Sequence, residues 1–552
     1  MIVVFIVCAI SGVSLFLFSL SMLDRVRLRR KIRTQWGKEI PTNRFDSEES
    51  LSETFHADNT DMDAVSEIDD WTWDDLNGYE IFEKINHTYS SIGAEMLYTT
   101  LRRFQFTSQH LEKLERNVTF FQENPAVREK CEYAFASLGK QANNFVLSYL
   151  QEGKQKEIGS LKLFLFLGCL PLGGLLVSFF SPKVGLLFFI GSICLNIFIY
   201  MQKKAKIEVE LTAMSYLVRM LSTAKRLTIF EHPYQKDLIG TLKPVQSILK
   251  LGFCFRVKSN TEAELIMEYL NSMFLVPLIA YQLVLTKVHH HRQEMVTIRK
   301  MIGEMETALS VLNFRLVNPD YCIPNLSGNK IHFEATNLYH PLVDNPVKNP
   351  VSWSKNTLVT GSNSSGKSTY VKAIAVNAML AQTIHTVMAD QCQLSYGHIY
   401  SSMAVNDDLL ANESYFIAEI KSIKRVLDRV MRYEPCYCFI DEILRGTNTV
   451  ERIAASASIV NWLASYPSLA FVATHDNELT TILEKSCENL HFSEVVTQKE
   501  GISFDYRVKN GPTKSRNALR LLEVMHYPET IIQKAQQEAV FFDKEKQWAT
   551  YQ

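Results

Sequence analysis

No pair among the ten cysteines (Cys8, Cys131, Cys169, Cys194, Cys254, Cys322, Cys392, Cys436, Cys438 and Cys487) has the C-x-x-C spacing of a zinc site or thiol redox motif. Thiols scattered in this way suit reducing surroundings or lipid. Charge of one sign is also lacking, since 58 Lys and Arg against 59 Asp and Glu leave a formal net charge of −1. That balance excludes nucleic-acid binding through overall charge, and leaves only a local basic face for such a partner. The N-terminus lacks the charged start and short apolar core of a cleavable leader. Residues 2–23 are instead an uncharged, mostly apolar stretch of 22 residues, long enough to cross a bilayer as a helix.

Arg25, Arg27, Arg29, Arg30, Lys31 and Arg33 follow at once. The positive-inside rule then places everything after residue 23 in the cytoplasm. Residues 46–75 hold twelve acidic side chains and no Lys or Arg, the composition of a solvated linker, although Trp71 and Trp73 at its end are suited to docking. Residues 163–180 and 184–201 are two further uncharged runs of 18 residues, parted only by Ser181-Pro182-Lys183. Lys154, Lys156 and Lys162 precede this hairpin and Lys203, Lys204 and Lys206 follow it, so both of its ends face the cytoplasm. A fourth run, residues 269–286, is interrupted by Asn271, Pro277 and Gln282. Parity makes it a buried helix, because a fourth span would strand the later motifs outside. His289, His290 and His291 point about 100° apart on a helix and do not converge on a metal.

Gly361-Ser-Asn-Ser-Ser-Gly366-Lys367-Ser368 fits G-x-x-x-x-G-K-[ST], between a strand pattern at 356–360 and an Ala-rich helix pattern at 369–382. In that setting glycines let backbone N–H groups wrap phosphates at a helix N-terminus. Lys367 then reaches the β- and γ-phosphates of ATP, and Ser368 ligates Mg²⁺. Residues 436–440 read as a buried strand ending in Asp441-Glu442, a Walker B arrangement. Asp441 holds the metal, and Glu442 orients or deprotonates the attacking water. A third strand at 469–473 ends in Thr474-His475-Asp476, which places His475 over the strand edge within reach of a γ-phosphate.

These segments together resemble the MutS family. Thr360 to Tyr370 resembles TGPNMGGKSTY, and Asp441 to Thr449 resembles DEIGRGTST. Asp407-Asp408-Leu409 followed by Glu413 to Glu419 resembles DDL…QSTFMVE, Ala473-Thr474-His475 resembles ATH, and Leu338-Tyr339-His340-Pro341 resembles GRHP. Gly93 to Leu97 and Leu101 to Val118 resemble the start of the family's helical core. The resemblance implies two heads that sandwich ATP in a homodimer. Ser414 would reach the γ-phosphate in the partner's loop, and Asn363 would join a phosphate cradle of Gly361, Ser362, Asn363, Ser364, Ser365, Gly366, Lys367, Ser368 and Thr369. It also implies DNA as a partner. In the place of the family's mismatch-reading domain, however, stand the apolar segment and the acidic stretch. No aromatic suited to stacking on adenine is evident after the His-Pro pair.

The expected fold is an α/β P-loop (ABC-type) ATPase domain following a mostly α-helical core, with three transmembrane helices. The expected divisions are an anchor (1–23), a basic then acidic cytoplasmic linker (24–80), a first core part (81–158) and a membrane hairpin (159–204). A second core part (205–320), the ATPase domain (321–536) and a tail (537–552) complete the chain. The expected activity is Mg²⁺-dependent ATP hydrolysis coupled to DNA at a membrane, in a multi-pass protein whose ATPase domain is cytoplasmic. The alternative is a membrane-embedded motor or transport-related ATPase without DNA. A conventional ABC transporter fits less well, since the LSGGQ signature is absent and three spans make a poor path.

Overall fold

The computed structural model describes residues 19, 22–39, 47–58, 65–141, 144, 146–152, 158–249, 269–328, 330–362, 365–403, 415–433, 435–497, 501–513, 519, 522–523, 525–545 and 547–548. The chain forms two compact units, each assembled from three separate stretches. The first comprises Met1–Met62, Phe82–Thr100 and Glu112–Val317, and the second Asp63–Ile81, Leu101–Leu111 and Asn318–Gln552.

The first unit is helical. Among the described residues two helices are long and apolar enough to cross a membrane, Leu161–Phe180 and Pro182–Leu227. The third expected span, residues 2–23, lies almost wholly outside the described residues. Ser181 makes the whole turn between the two helices, and Pro182 opens the second at a position where its missing N–H costs nothing. The helices touch through glycines: a Cβ on Gly174 would sit 2.7 Å from the Phe189 nitrogen, and one on Gly185 would sit 2.2 Å from that of Ser178. Their outer faces stay bare, with Phe179 85%, Phe180 93% and Leu187 76% exposed. The second helix does not stop where its apolar run ends. It continues to Leu227, with non-helical torsions at Ile207, because the end of an apolar run is not a helix cap.

The interrupted fourth run forms the helix Val276–His290, preceded by Leu275 in a left-handed conformation. Leu278, Tyr281 and Val284 on it are fully buried, as expected of a core helix. Helix Arg292–Val317 is the axis of this unit. Its Glu306 accepts hydrogen bonds from the Tyr89 and Ser90 nitrogens at 2.7 and 3.1 Å, capping the helix Ser91–Arg102 with a carboxylate. Burial pushes Glu306 up to about 7 even against those bonds.

The acidic stretch departs from the solvated linker its composition suggests. Helix Glu48–Ala57 buries Leu51 and Phe55, and Asp58 pairs with the buried Arg299 at 3.3 Å. Helix Asp70–Asp75 buries Trp73 in the second unit. Counting charge within a window misses the partners, which come from elsewhere in the chain.

The second unit is mixed α/β. Its strands are β1 (Ser66–Glu67), β2 (Arg103–Phe104), β3 (Asn325–Leu326), β4 (Phe333–Leu338), β5 (Asn349–Trp353), β6 (Asn356–Thr360), β7 (Gln391–Leu394), β8 (His398–Ser402), β9 (Cys436–Asp441), β10 (Ser468–Thr474), β11 (Cys487–Thr497) and β12 (Gly501–Asn510). The main sheet has the order β12-β11-β6-β10-β9-β8. Every pairing in it is parallel except the edge pair β11–β12. Central parallel strands are covered on both faces, which is why Cys436 to Ile440 and Leu469 to Ala473 read as unbroken apolar runs. A four-stranded sheet, β3-β7-β4-β5, supplies Trp353, whose ring lies 5.1–5.3 Å from those of Tyr437, Phe439 and Phe471. The C-terminal helix Glu529–Glu545 runs through the boundary expected at residue 537.

Candidate functional site

The registers Thr360 opposite Thr474 and Asp441 opposite Ala473 bring the C-terminal ends of β6, β10 and β9 level. The segments leaving these ends therefore converge, as they do above open parallel sheets generally. After β6 the chain turns at Gly361, with φ +145°, and re-enters a helix at Gly366, with φ +100°. A Cβ on Gly361 would lie 2.8 Å from the Phe492 carbonyl oxygen and 2.9 Å from Ser365 Oγ, so the loop closes only around glycine. Ser365 Oγ donates to the Ser362 carbonyl at 2.7 Å, which tightens the turn.

Lys367 is the first residue of helix Lys367–Thr383, and its ammonium folds back over the loop. It donates to the carbonyl oxygens of Gly361 at 2.6 Å and Ser362 at 2.9 Å. Burial pushes this amine down to about 8, against the pull of Asp441 and Glu442. Ser368 is half-buried beside it and Thr369 is exposed. Asn363 and Ser364 lie outside the described residues, and so do Ser414 and residues 407–409.

After β9 the backbone takes left-handed torsions at Glu442 (φ 60°) and Leu444 (φ 57°). The Glu442 nitrogen donates to the Ala473 carbonyl at 2.9 Å, so the turn stays stitched to β10. Strained torsions at non-glycine residues persist only where surrounding contacts over-determine them. Here those contacts are polar. His475 Nε2 lies 2.8 Å from one Glu442 oxygen, and Arg445 Nε bonds the other. Lys367 Nζ stands 3.5 Å from the same His475 nitrogen. The shorter contact assigns the Nε2 proton to the bond with Glu442. Burial alone would raise the Glu442 carboxyl, but the hydrogen bonds from His475 and Arg445 outweigh it and hold the group at about 2. Glu419, buried on helix Tyr415–Val430, accepts from the Arg445 nitrogen at 2.8 Å. Arg452 clamps Asp476 through two bonds at 2.9 and 2.6 Å, which fixes the segment after His475.

Beside Gly366, Ser368 and Thr369 opens a cavity of about 470 Å³, also lined by Tyr339, His340, Val347 and Tyr506. Burial and the nearby Lys372 push His340 down to about 4, so its ring is neutral at physiological pH. Its Nδ1 accepts from the Leu342 nitrogen at 3.2 Å and shapes the wall of the cavity. Tyr506, on β12, supplies an aromatic ring here that sequence reasoning sought after the His-Pro pair and missed. Asn349 locks that strand, donating to the Tyr506 carbonyl and accepting from the Val508 nitrogen, both at 2.9 Å. The only sequence signal was the alternation Phe504, Tyr506, Val508, which places all three on one strand face.

The arrangement presents a buried cation in a glycine loop, the hydroxyl of Ser368, the carboxylates of Asp441 and Glu442, and an aromatic-lined cavity alongside. Hard oxygen donors of this kind suit Mg²⁺, which completes its shell with waters and substrate phosphates. Among the described residues no cluster of three His, Cys, Asp or Glu could hold a metal unaided.

Residues 357–542 match the family model described as MutS domain V. The chain is 31% identical over 211 residues to MutS protein homolog 4 of Homo sapiens, across 35% of this chain and 22% of that protein. It is 26% identical to a DNA mismatch repair protein MutS of Natronomonas pharaonis, across 39% of this chain and 26% of the relative. A protein of the same name from Lactobacillus acidophilus is 28% identical over the same shares. The matched region thus spans about a quarter of the length of these relatives.

Proposed function

We propose that the chain is a MutS-type, membrane-anchored, homodimeric ATPase whose hydrolysis of ATP is coupled to DNA. The observation that carries the reading is the convergence of Lys367, Glu442 and His475 at the ends of three parallel strands. Lys367 and the loop nitrogens receive the phosphates, and the neighbouring cavity with Tyr506 takes the base. Ser368 and Asp441 would hold Mg²⁺, which when bound neutralises phosphate charge and polarises the bond to be broken. Glu442 orients the attacking water and His475 contacts the γ-phosphate.

Glu442→Gln tests this assignment in the purified full chain. The variant should bind ATP and lose turnover by about 10²–10⁴, the usual worth of a positioned proton acceptor. Turnover within threefold of wild type would remove Glu442 from the reaction.

The membrane part of the reading is supported by the bare apolar faces of the hairpin, too extensive for a surface in water. The DNA part is supported by relatives named as mismatch repair proteins. If DNA is the partner, duplex or branched DNA should bind with an affinity that falls steeply as salt rises. Absence of binding at low salt would leave a DNA-free membrane motor.

A further inference from the structure

Residues 66–76 stand far from the catalytic motifs in sequence, yet they belong to the same compact unit as the main sheet. They are firmly anchored there. Glu67 in β1 pairs with Arg103 in β2, and the Arg102 guanidinium donates to the Ile68 carbonyl at 2.9 Å and to Asp70 at 2.6 Å. Trp73 is buried beneath Gly78, where a Cβ would come within 2.2 Å of its ring.

From this anchor three polar side chains reach the catalytic end of the unit. Asp69 receives the Arg425 guanidinium of helix Tyr415–Val430, with Nη1 at 2.6 Å from Oδ1. Thr72 Oγ1 accepts from the Ser401 nitrogen at 3.2 Å. Asp75 accepts from Ser401 Oγ at 2.6 Å and from the Met403 nitrogen at 2.9 Å. Arg425 closes the circuit by donating to the Ser401 carbonyl. The end of β8 and helix Tyr415–Val430 are thereby tied to one short segment and to each other. The same helix carries Glu419, which holds the Arg445 backbone, and the Arg445 side chain holds Glu442. A continuous series of contacts runs from Asp69 to the carboxylate assigned to the attacking water.

The Arg425–Asp69 pair is largely withdrawn from water, with side chains 16% and 17% exposed, and pairs of that kind are better at fixing one geometry than at adding stability. We propose that residues 66–76 form a positioning strap: Asp69, through Arg425, sets helix Tyr415–Val430 so that Glu419 and Arg445 present Glu442 correctly. Asp69 and Arg425 are positioning residues and touch no substrate. The inference rests on the ATPase reading above.

The test uses the full-length protein and the variants Asp69→Asn, Arg425→Gln, their double, and Asp75→Asn. Two quantities are followed: hydrogen exchange of the nucleotide-free chain, and steady-state ATP turnover. The strap predicts faster exchange along residues 415–430 with helix 367–383 unchanged, kcat lowered at least tenfold, and KM for ATP within twofold. The double variant should be no worse than Arg425→Gln alone, because that change already removes the contact with Asp69 as well as the bond to the Ser401 carbonyl. Asp75→Asn keeps an acceptor for Ser401 and Met403 and serves as the second variant should Asp69→Asn fail to fold; it should show the same split in milder form. Unchanged exchange along 415–430 overturns the inference whether or not the chain hydrolyses ATP. Faster exchange with wild-type kcat overturns it also, and leaves the ATPase reading intact. A wild-type chain without turnover sinks both.

Discussion

Lys367 offers a direct measurement of the buried cation in the glycine loop. Burial holds its amine at about 8 in the nucleotide-free chain. A triphosphate beside it favours the ammonium, so the group's pKa rises on binding and ATP is taken up together with a proton. The sign follows from that difference. Below pH 8 the free chain already carries the proton and affinity is insensitive to pH; above it, each unit of pH costs a factor of about ten. Between pH 7 and pH 9 the protonated fraction of Lys367 falls from about nine-tenths to about one-tenth, so the Kd for ATP should rise roughly tenfold, or about 1.4 kcal/mol.

The assay is equilibrium titration with a slowly hydrolysed ATP analogue at fixed ionic strength, repeated with calorimetry in buffers of different ionisation enthalpy to count the protons taken up. The phosphates contribute little to the profile, since a phosphate's second ionisation lies near 6 and is already about nine-tenths complete at pH 7. Lys367→Arg supplies the control: guanidinium does not titrate here, so its affinity, whatever its level, should be flat from pH 7 to 9. A flat profile in the wild-type chain, or an equal slope in Lys367→Arg, would refute the reasoning.

Two further expectations concern the assembly. A mixture of Ser414→Arg and Lys367→Ala subunits should regain activity that neither has alone, approaching half the wild-type value per mixed dimer, because one composite site escapes both lesions; verified mixed dimers without rescue would deny Ser414 an independent role in trans. On the proposed membrane reading, a cysteine placed at Lys183, in the first turn of helix Pro182–Leu227, should react with impermeant reagent from outside intact cells, and protection there would break the three-span topology.

The end of the main sheet that carries Gly361, Glu442 and His475 was legible because its signals are local. Gly361 and Gly366 are needed where the backbone enters positive φ, and parallel strands buried on both faces leave unbroken apolar runs such as Cys436 to Ile440. Asp441, Glu442 and His475 follow such runs directly. What escaped depends on partners distant in sequence. Nothing around Tyr506 announces a ring beside Gly366, because only the pairing of β12 with β11 and the Asn349 bonds bring it there. The acidic stretch looked solvated because its cations, Arg299, Arg102 and Arg425, lie outside it. The helical hairpin was legible as two apolar runs, but hydropathy marks the end of an apolar run and not the end of a helix. The helix from Pro182 to Leu227 therefore outran its expected boundary.

The same contacts that make the site compact also restrain it. With His475 and Arg445 both on Glu442, the carboxyl sits near 2 and is a poor proton acceptor at neutral pH, where a base works best with a pKa close to the medium's. Lys367 meanwhile spends its donors on the loop's own carbonyls. On the proposed reading, a γ-phosphate competes for both groups, drawing Lys367 off Gly361 and Ser362 and His475 off Glu442. Each bond surrendered by His475 removes one of the interactions that hold Glu442 low. Its basicity then rises only in the chain that has bound its substrate. Arg445 remains as the second restraint, and its backbone answers to Glu419 on helix Tyr415–Val430. Substrate binding can therefore release one half of the restraint on Glu442, while the placement of that helix governs the other.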